Sequence, residues 1–418
     1  MIGALRNAVR ISDLRRRILF TLGLFIVFRI GTHIPVPGVN AAVMRNLVQG
    51  GTLFGLLDLF SGGALAQYSV FAMGVMPYIN AAIIMQLLTF VLPSLESLSK
   101  EGEAGQRQIN QYTRYLTLVL ATIEALAMSW ALRSAIYVPS FWNVAFIALT
   151  LAAGTVFLMW LGEQITDRGI GNGISLLIFA AIVSRLPAGA ARLAVYLQQG
   201  SISIVSVVIL LVLGLAIIAA VVWVEEGQRR IPVQYAKRVV GRRVYGGQST
   251  HIPLKVDSAG VIPIIFAVSI LSVPATLAEF VHWPWVQAVS RVFNYTQPAY
   301  MAVYAILIIF FTFFYTSMTF NPTDVADNLR KYGGFIPGLR PGRPTAEYLE
   351  RLLVRITVPG SLFLAAVAIL PFIIGGLTKI PGLYLGGTAL LIVVGVALET
   401  MKQIEAHLLM RHYQGFLR

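Results

Sequence analysis

Cysteine is absent from the 418-residue chain, which excludes disulfides, thiolate metal sites and cysteine nucleophiles and leaves the redox compartment unreadable. Charge is scarce as well: 12% of the residues are charged and 57% are hydrophobic. With a mean hydropathy of +0.76, the chain is too apolar for a water-soluble protein and reads as a polytopic membrane protein. Histidine occurs five times, at His33, His251, His282, His407 and His412. None stands in metal-ligand spacing with a second donor, so neither a catalytic constellation nor a cofactor is expected.

Ionisable residues inside the apolar runs are rarer still. Pumps and ion-coupled transporters carry such groups at the middle of the bilayer, and here Glu124 is the clearest case; it reads as a carboxylate paired within the helix bundle. Arg29, Arg133, Arg185, Glu279 and Glu399 stand near the ends of runs, where they are expected to snorkel toward headgroups. The glycine-rich 167–173 follows an apolar run rather than a strand, so it predicts a tight turn between two spans, not a phosphate loop.

The chain supplies roughly ten runs near the 20 apolar residues that a spanning helix needs. They lie at about 18–30, 69–92, 115–132, 141–161, 174–186, 204–224, 261–280, 299–320, 352–375 and 383–399. The first follows Arg15, Arg16 and Arg17 and meets no small-residue cleavage site, so it is expected to remain as an uncleaved span; 31–51 reads as an extended Pro/Gly loop. Acidic residues number 18 against 32 Lys and Arg, for a net charge of +14. Roughly 25 of those 32 cations fall in alternate loops, so the positive-inside rule places both termini in the cytoplasm.

Ten spans divide into halves of about 1–190 and 191–418, and five spans per half require any repeat to be inverted across the membrane. Two long cytoplasmic loops are expected, at about 225–257 and 321–351. The first mixes Arg229, Arg230, Lys237, Arg238, Arg242 and Arg243 with apolar residues, a surface suited to anionic lipid, an acidic protein face or ribosomal RNA phosphates. In the second, the glycines and prolines around Arg340 predict a shaped turn that presents this side chain outward.

The stretch 54–88 is unlike a simple anchor. An apolar piece too short to cross a bilayer breaks at Gly62 and Gly63 and leads into a span carrying Pro77, Asn80 and Gln86. It reads as something that lines or closes a path through a membrane.

Several ordered stretches together resemble the SecY family, the channel-forming subunit of the bacterial Sec protein translocon. They are FSGGAL at 60–65, MGVMPYI at 73–79, WLGEQITDRGIGNG at 160–173, QRR at 228–230 with YAKR at 235–238, SAGVIP at 258–263 and PGLRPG at 337–342. The resemblance implies an all-α polytopic membrane protein, with ten transmembrane helices in two inverted five-helix halves around a central pore, and a short plug helix. It implies the small membrane subunits SecE and SecG, the SecA ATPase or a translating ribosome, and signal sequences and nascent polypeptides as clients in a bacterial plasma (inner) membrane. The chain itself is then expected not to be an enzyme.

The same resemblance assigns residues. Val75, Ile79, Ile83, Ile178, Ile182, Ile262, Ile265 and Ile392 correspond to a pore ring; a plug at 53–65 includes Asp58, Phe60, Ser61, Gly62, Gly63 and Leu65. Gln86, Ser258, Ser269 and Ser272 correspond to a lateral gate between the second and seventh spans. Arg229, Arg230, Lys237, Arg238, Arg242, Arg243 and Arg340 correspond to SecA or ribosome docking positions. A secondary transporter with inverted repeats is the alternative from another class, and a scaffold that recruits ribosomes is a third reading.

Overall fold

The computed structural model describes residues 11–49, 53–200, 202–235, 238–240, 243–245, 249–280, 297–378 and 386–415. In chain order the helices are α1 (Ser12–Gly31), α2 (Ala41–Gln49), α3 (Leu53–Phe60), α4 (Met76–Val91), α5 (Pro93–Lys100), α6 (Glu103–Ala131), α7 (Phe141–Arg168), α8 (Gly173–Val183), α9 (Leu186–Gln198) and α10 (Ile204–Glu226). Strands β1 (Gln228–Tyr235), β2 (Arg238–Val240), β3 (Arg243–Tyr245) and β4 (Ser249–Lys255) follow. Then come α11 (Ile262–Phe280), α12 (Pro298–Thr319), α13 (Pro322–Lys331), β5 (Gly334–Phe335), α14 (Arg343–Thr378) and α15 (Gly386–Gly415).

Every apolar run read from the sequence overlaps a helix, and the boundaries carry the corrections. The second span does not start at Ser69; α4 begins at Met76, because the preceding segment turns through Gly74 at φ +60°. Its 16 residues rise only about 24 Å, less than the roughly 30 Å of a bilayer core. Pro93 then ends it: Leu92 is extended, as the residue before a proline prefers, and α5 departs at 98°. Among the described residues, five helices are long and apolar enough to cross a membrane, or six if this bent pair is one span. The expected loop at 31–51 contains α2.

Small residues let the helices approach. In α6 a stripe at Gly105, Ile109, Thr113, Thr117, Ala121, Ala125 and Ser129 is buried, spaced every four residues along one face, and this helix packs on both α4 and α7. Both of the stripe's threonine hydroxyls are satisfied within the helix: Thr113 donates to the Ile109 carbonyl (2.9 Å) and Thr117 to that of Thr113 (2.7 Å). Small interfaces of this kind replace the hydrophobic drive that lipid removes. By contrast α10 buries only Ile217, Val221 and Val224, leaving most of an apolar helix facing outward, as lipid permits.

The two basic loops are not separate. β1 pairs antiparallel with β4, Gln228 opposite Lys255 through Gln234 opposite Ser249, and also with β5, Gln234 opposite Phe335. Alternation explains the strand: Ile231 and Val233 point inward while their neighbours are exposed. Beneath them Leu254, Leu329, Ile336, Leu349 and Leu353 complete a small core.

Candidate functional site

The largest apolar core collects side chains from helices far apart in sequence. Val75, Ile79 and Ile83 come from α4 and its entry, Ile178 and Ile182 from α8, Ile265 from α11 and Ile392 from α15, all at most 5% exposed. Ile262, the first residue of α11, is only partly buried and packs against this cluster. Four-residue spacing aligns Ile79 with Ile83 and Ile178 with Ile182 on single faces. Val75 does not extend the first pair as a helical residue, since it caps α4 with φ −97° and ψ 6°.

Against this core lies the segment expected as a plug. Its helix, α3, ends at Phe60 rather than Leu65, because Gly62 (φ +70°) and Gly63 (φ +92°) adopt left-handed backbone that terminates it. Residues 61–75 form successive turns, with Phe60, Ser61, Ala64 and Leu65 buried. Gly62 is also required by space, since a Cβ there would stand 3.1 Å from Ala181 Cα of α8.

Asp58 organises these turns. Fully buried, its Oδ1 accepts the Ala66 N–H at 2.7 Å and its backbone carbonyl accepts the Gly63 N–H at 2.9 Å. Its Oδ2 forms an ion pair with Nη2 of Arg185, which lies at the break between α8 and α9. Arg29 of α1 donates from Nη1 to the Gly62 carbonyl (3.0 Å) and to Ser184 Oγ (3.3 Å). These two arginines were expected to meet headgroups; instead they face the plug-like segment. A cue was available: intramembrane charges ordinarily have partners, and Asp58 is the carboxylate in the neighbouring apolar stretch. Glu124 behaves as expected, accepting from Asn80 Nδ2 at 3.0 Å.

The expected gate residues divide. α4 and α11 are packed neighbours, and the Ser269 hydroxyl points to Met76 Sδ at 3.8 Å across the seam. Ser272 donates to the Ser269 carbonyl at 2.7 Å within α11. Gln86 Oε1 is buried without a hydrogen-bond partner among the described residues. Ser258 is not on the spanning helix: it sits in the turn before α11 and bonds the Lys255 carbonyl. Asp257 shapes that turn, accepting the N–H groups of Ala259 (3.1 Å) and Gly260 (2.8 Å). Burial, reinforced by the nearby Glu225 charge, pushes its carboxyl up to about 7.

On the basic loops, Arg229 and Arg230 are exposed on β1 and Arg340 is exposed in its turn, where its carbonyl accepts from Thr345 Oγ1 at 2.8 Å. Arg238 and Arg243 belong to the β2–β3 hairpin, in which Arg238 is opposite Tyr245. Lys237 and Arg242 lie outside the described residues. A cleft of about 790 Å³ opens beside this surface, between α12, α13 and α14, lined by Phe320, Arg330, Arg343 and Leu353 among others. It is distinct from the largest apolar core.

Comparison with known proteins agrees with this architecture. The chain matches the family described as SecY over residues 69–401. It is 51% identical over 431 residues to the protein translocase subunit SecY of Halalkalibacterium halodurans, with both chains covered completely. To the same subunit of Escherichia coli K12 it is 47% identical over 420 residues, covering 98% of this chain and 95% of the relative. Among solved structures it superposes on a protein-conducting channel with a TM-score of 0.64 at 18% identity, covering 94% of this chain and 92% of that one. A SecY protein whose plug domain stabilises the closed state of its translocation channel gives 0.65 at 19% identity, with 94% and 92% covered. The canine Sec61 of a ribosome–channel complex gives 0.63 at 18%, with the same coverage. With half the sequence shared along its whole length, and aliphatic side chains of separate helices gathered beside the segment held by Arg29 and Arg185, the chain belongs to the SecY family.

Proposed function

We propose that the chain forms a protein-conducting channel of the bacterial plasma (inner) membrane, passing unfolded secretory polypeptides and releasing apolar segments sideways into lipid, with both termini cytoplasmic. The observation that carries this reading is the clustering of Val75, Ile79, Ile83, Ile178, Ile182, Ile265 and Ile392 in one core, with 53–75 packed against it. Branched aliphatic side chains make a deformable seal that discourages water when no chain is present. In this reading Asp58, Phe60, Ser61, Gly62, Gly63 and Leu65 belong to the movable plug, and the halves 1–190 and 191–418 are the two inverted walls.

The seam between α4 and α11 is the lateral exit. A weak hydroxyl–thioether contact and an unpaired Gln86 oxygen hold it loosely, since a buried unpaired acceptor costs about 1–3 kcal/mol. A signal segment that replaces these contacts binds and opens in one equilibrium.

Energy comes from partners: SecE and SecG stabilise the channel, and SecA or a translating ribosome engages the sheet and turn that carry Arg229, Arg230 and Arg340. Because β1 and β5 share a ladder, the two basic loops form one docking surface. Arg340→Glu is expected to weaken SecA-coupled, ATP-driven transport roughly tenfold, as loss of an exposed arginine anchor does at interfaces, while leaving the purified channel's melting unchanged. Normal transport with confirmed SecA binding defeats that assignment.

The conduit itself is tested by single cysteines. In this cysteine-free chain, Val75→Cys, Ile79→Cys or Ile262→Cys is expected to crosslink to a stalled secretory polypeptide, whereas Arg229→Cys contacts it only before insertion. Crosslinks confined to the basic loops would indicate a ribosome-recruiting scaffold instead.

A further inference from the structure

The seat of the plug carries more positive charge than the plug supplies negative. Arg29 and Arg185 both face the segment, and the charge of the exposed Arg192 also acts on Asp58. Among the described residues, Asp58 is the one carboxylate in ion-pair contact with either of the first two arginines. Arg29 instead donates to a neutral carbonyl and a hydroxyl. The two guanidinium groups are close enough to repel one another, and half-buried guanidinium groups left without anions are costly.

We propose that when the plug leaves, Arg29 and Arg185 remain as a carboxylate-binding site on the wall of the opened path, and that its ligands are the Asp and Glu side chains of the passing polypeptide. The inference rests on the plug reading above. Three observations carry it. The plug's own anchor is a carboxylate, so the seat already shows the chemistry it recognises: an Asp oxygen on Arg185 Nη2. Arg29 reaches the Gly62 carbonyl and Arg185 approaches Gly63, where a Cβ would stand 2.9 Å from Nη1. Both guanidinium groups therefore line the surface that the plug covers. Finally, both are rooted in helices outside the plug, Arg29 in α1 and Arg185 at the α8–α9 break, so they stay when 53–75 moves. Ser184, which donates to the Ala181 carbonyl at 2.7 Å, holds Arg29 in place independently of the plug.

A vacated pair of guanidinium groups favours anions, as arginine rings do in anion pores, and an extended chain presents its carboxylates one after another. Acidic side chains would exchange along the seat as Asp58 does on closing, each contact weak enough to release.

The test uses the full channel in planar bilayers with residues 58–65 deleted. Under a potassium chloride gradient the reversal potential is expected to report chloride over potassium by roughly tenfold, given two nearby charges partly screened by salt. Arg29→Gln with Arg185→Gln is expected to abolish that preference, and the double Lys variant to restore it, which separates charge from folding. Hexaglutamate on the outer side should block current in the deleted channel at far lower concentration than hexalysine, and lose this advantage in the Gln variant. Increased conductance whose selectivity ignores both arginines overturns the site and spares the plug. Chloride preference without hexaglutamate block overturns the polypeptide ligand. No added conductance on deletion overturns the plug reading and the site with it.

Discussion

Asp58→Asn is expected to raise the resting ion leak of the reconstituted channel about thirtyfold. The carboxylate is fully buried and the Arg185 side chain is 27% exposed. Removing one partner of a buried ion pair costs about 3–5 kcal/mol, and the partial exposure of Arg185 lowers this to about 2 kcal/mol through solvent screening. Seated plug and departed plug then differ by that much less, and about 1.4 kcal/mol is tenfold in an equilibrium constant. The asparagine retains an oxygen for the Ala66 N–H, so the turn itself survives and the loss falls on the contact with Arg185. Arg185→Gln should leak similarly. The double variant should leak no more than either single one, because the coupling is already broken. Leaks that simply multiply would show that the pair does not latch the plug.

The second large effect concerns the waist. Ile79→Thr, Ile182→Thr and Ile392→Thr together place hydroxyls on three helices of the aliphatic cluster and remove the terminal methyl of each side chain. Each side chain is at most 5% exposed, so each replacement forfeits about 2 kcal/mol of apolar transfer free energy. The dry state of the constriction weakens accordingly, and dye-impermeant vesicles carrying the variant should conduct ions at least about tenfold faster at rest. The same triple change in a channel with the plug crosslinked shut separates waist from stopper. An unaltered leak in both would remove these residues from the seal.

Much of the architecture was legible because apolar transfer is local. Runs such as 141–161 and 204–224 announce spanning helices wherever they pack, and α7 and α10 follow. The turn expected at 167–173, which the structure confines to 169–172, was legible for a related reason. Gly171 sits at φ +87°, and Gly173 presses its Cα face against the Gly162 carbonyl, positions that only glycine fills. The outward placement of Arg340 likewise followed from the glycines and prolines flanking it.

Other boundaries were not legible. Apolar residues continue from 69 into α4, so hydropathy alone extends the helix to Ser69, whereas the chain turns at Gly74 and is bridged at Ser69 to Pro35. The two basic loops looked independent because nothing local joins Gln234 to Phe335; their pairing is a ladder between segments about a hundred residues apart. Ser258 looked like part of a gate helix because the turn at Asp257 depends on backbone hydrogen bonds to its side chain.

By itself the sequence determined an apolar, cysteine-free membrane chain with its cations concentrated in alternate loops, and its motifs pointed to the family. Periodicity, hydropathy and charge bias act within a helix or a loop, so no partner is needed to read them. Only the tertiary structure decided that Asp58 is held by Arg185 across 127 positions of sequence, that Arg29 grips Gly62, and that isoleucines of α4, α8, α11 and α15 share one core. Buried charges must find partners wherever packing supplies them, and in this chain packing places two arginines around one buried carboxylate.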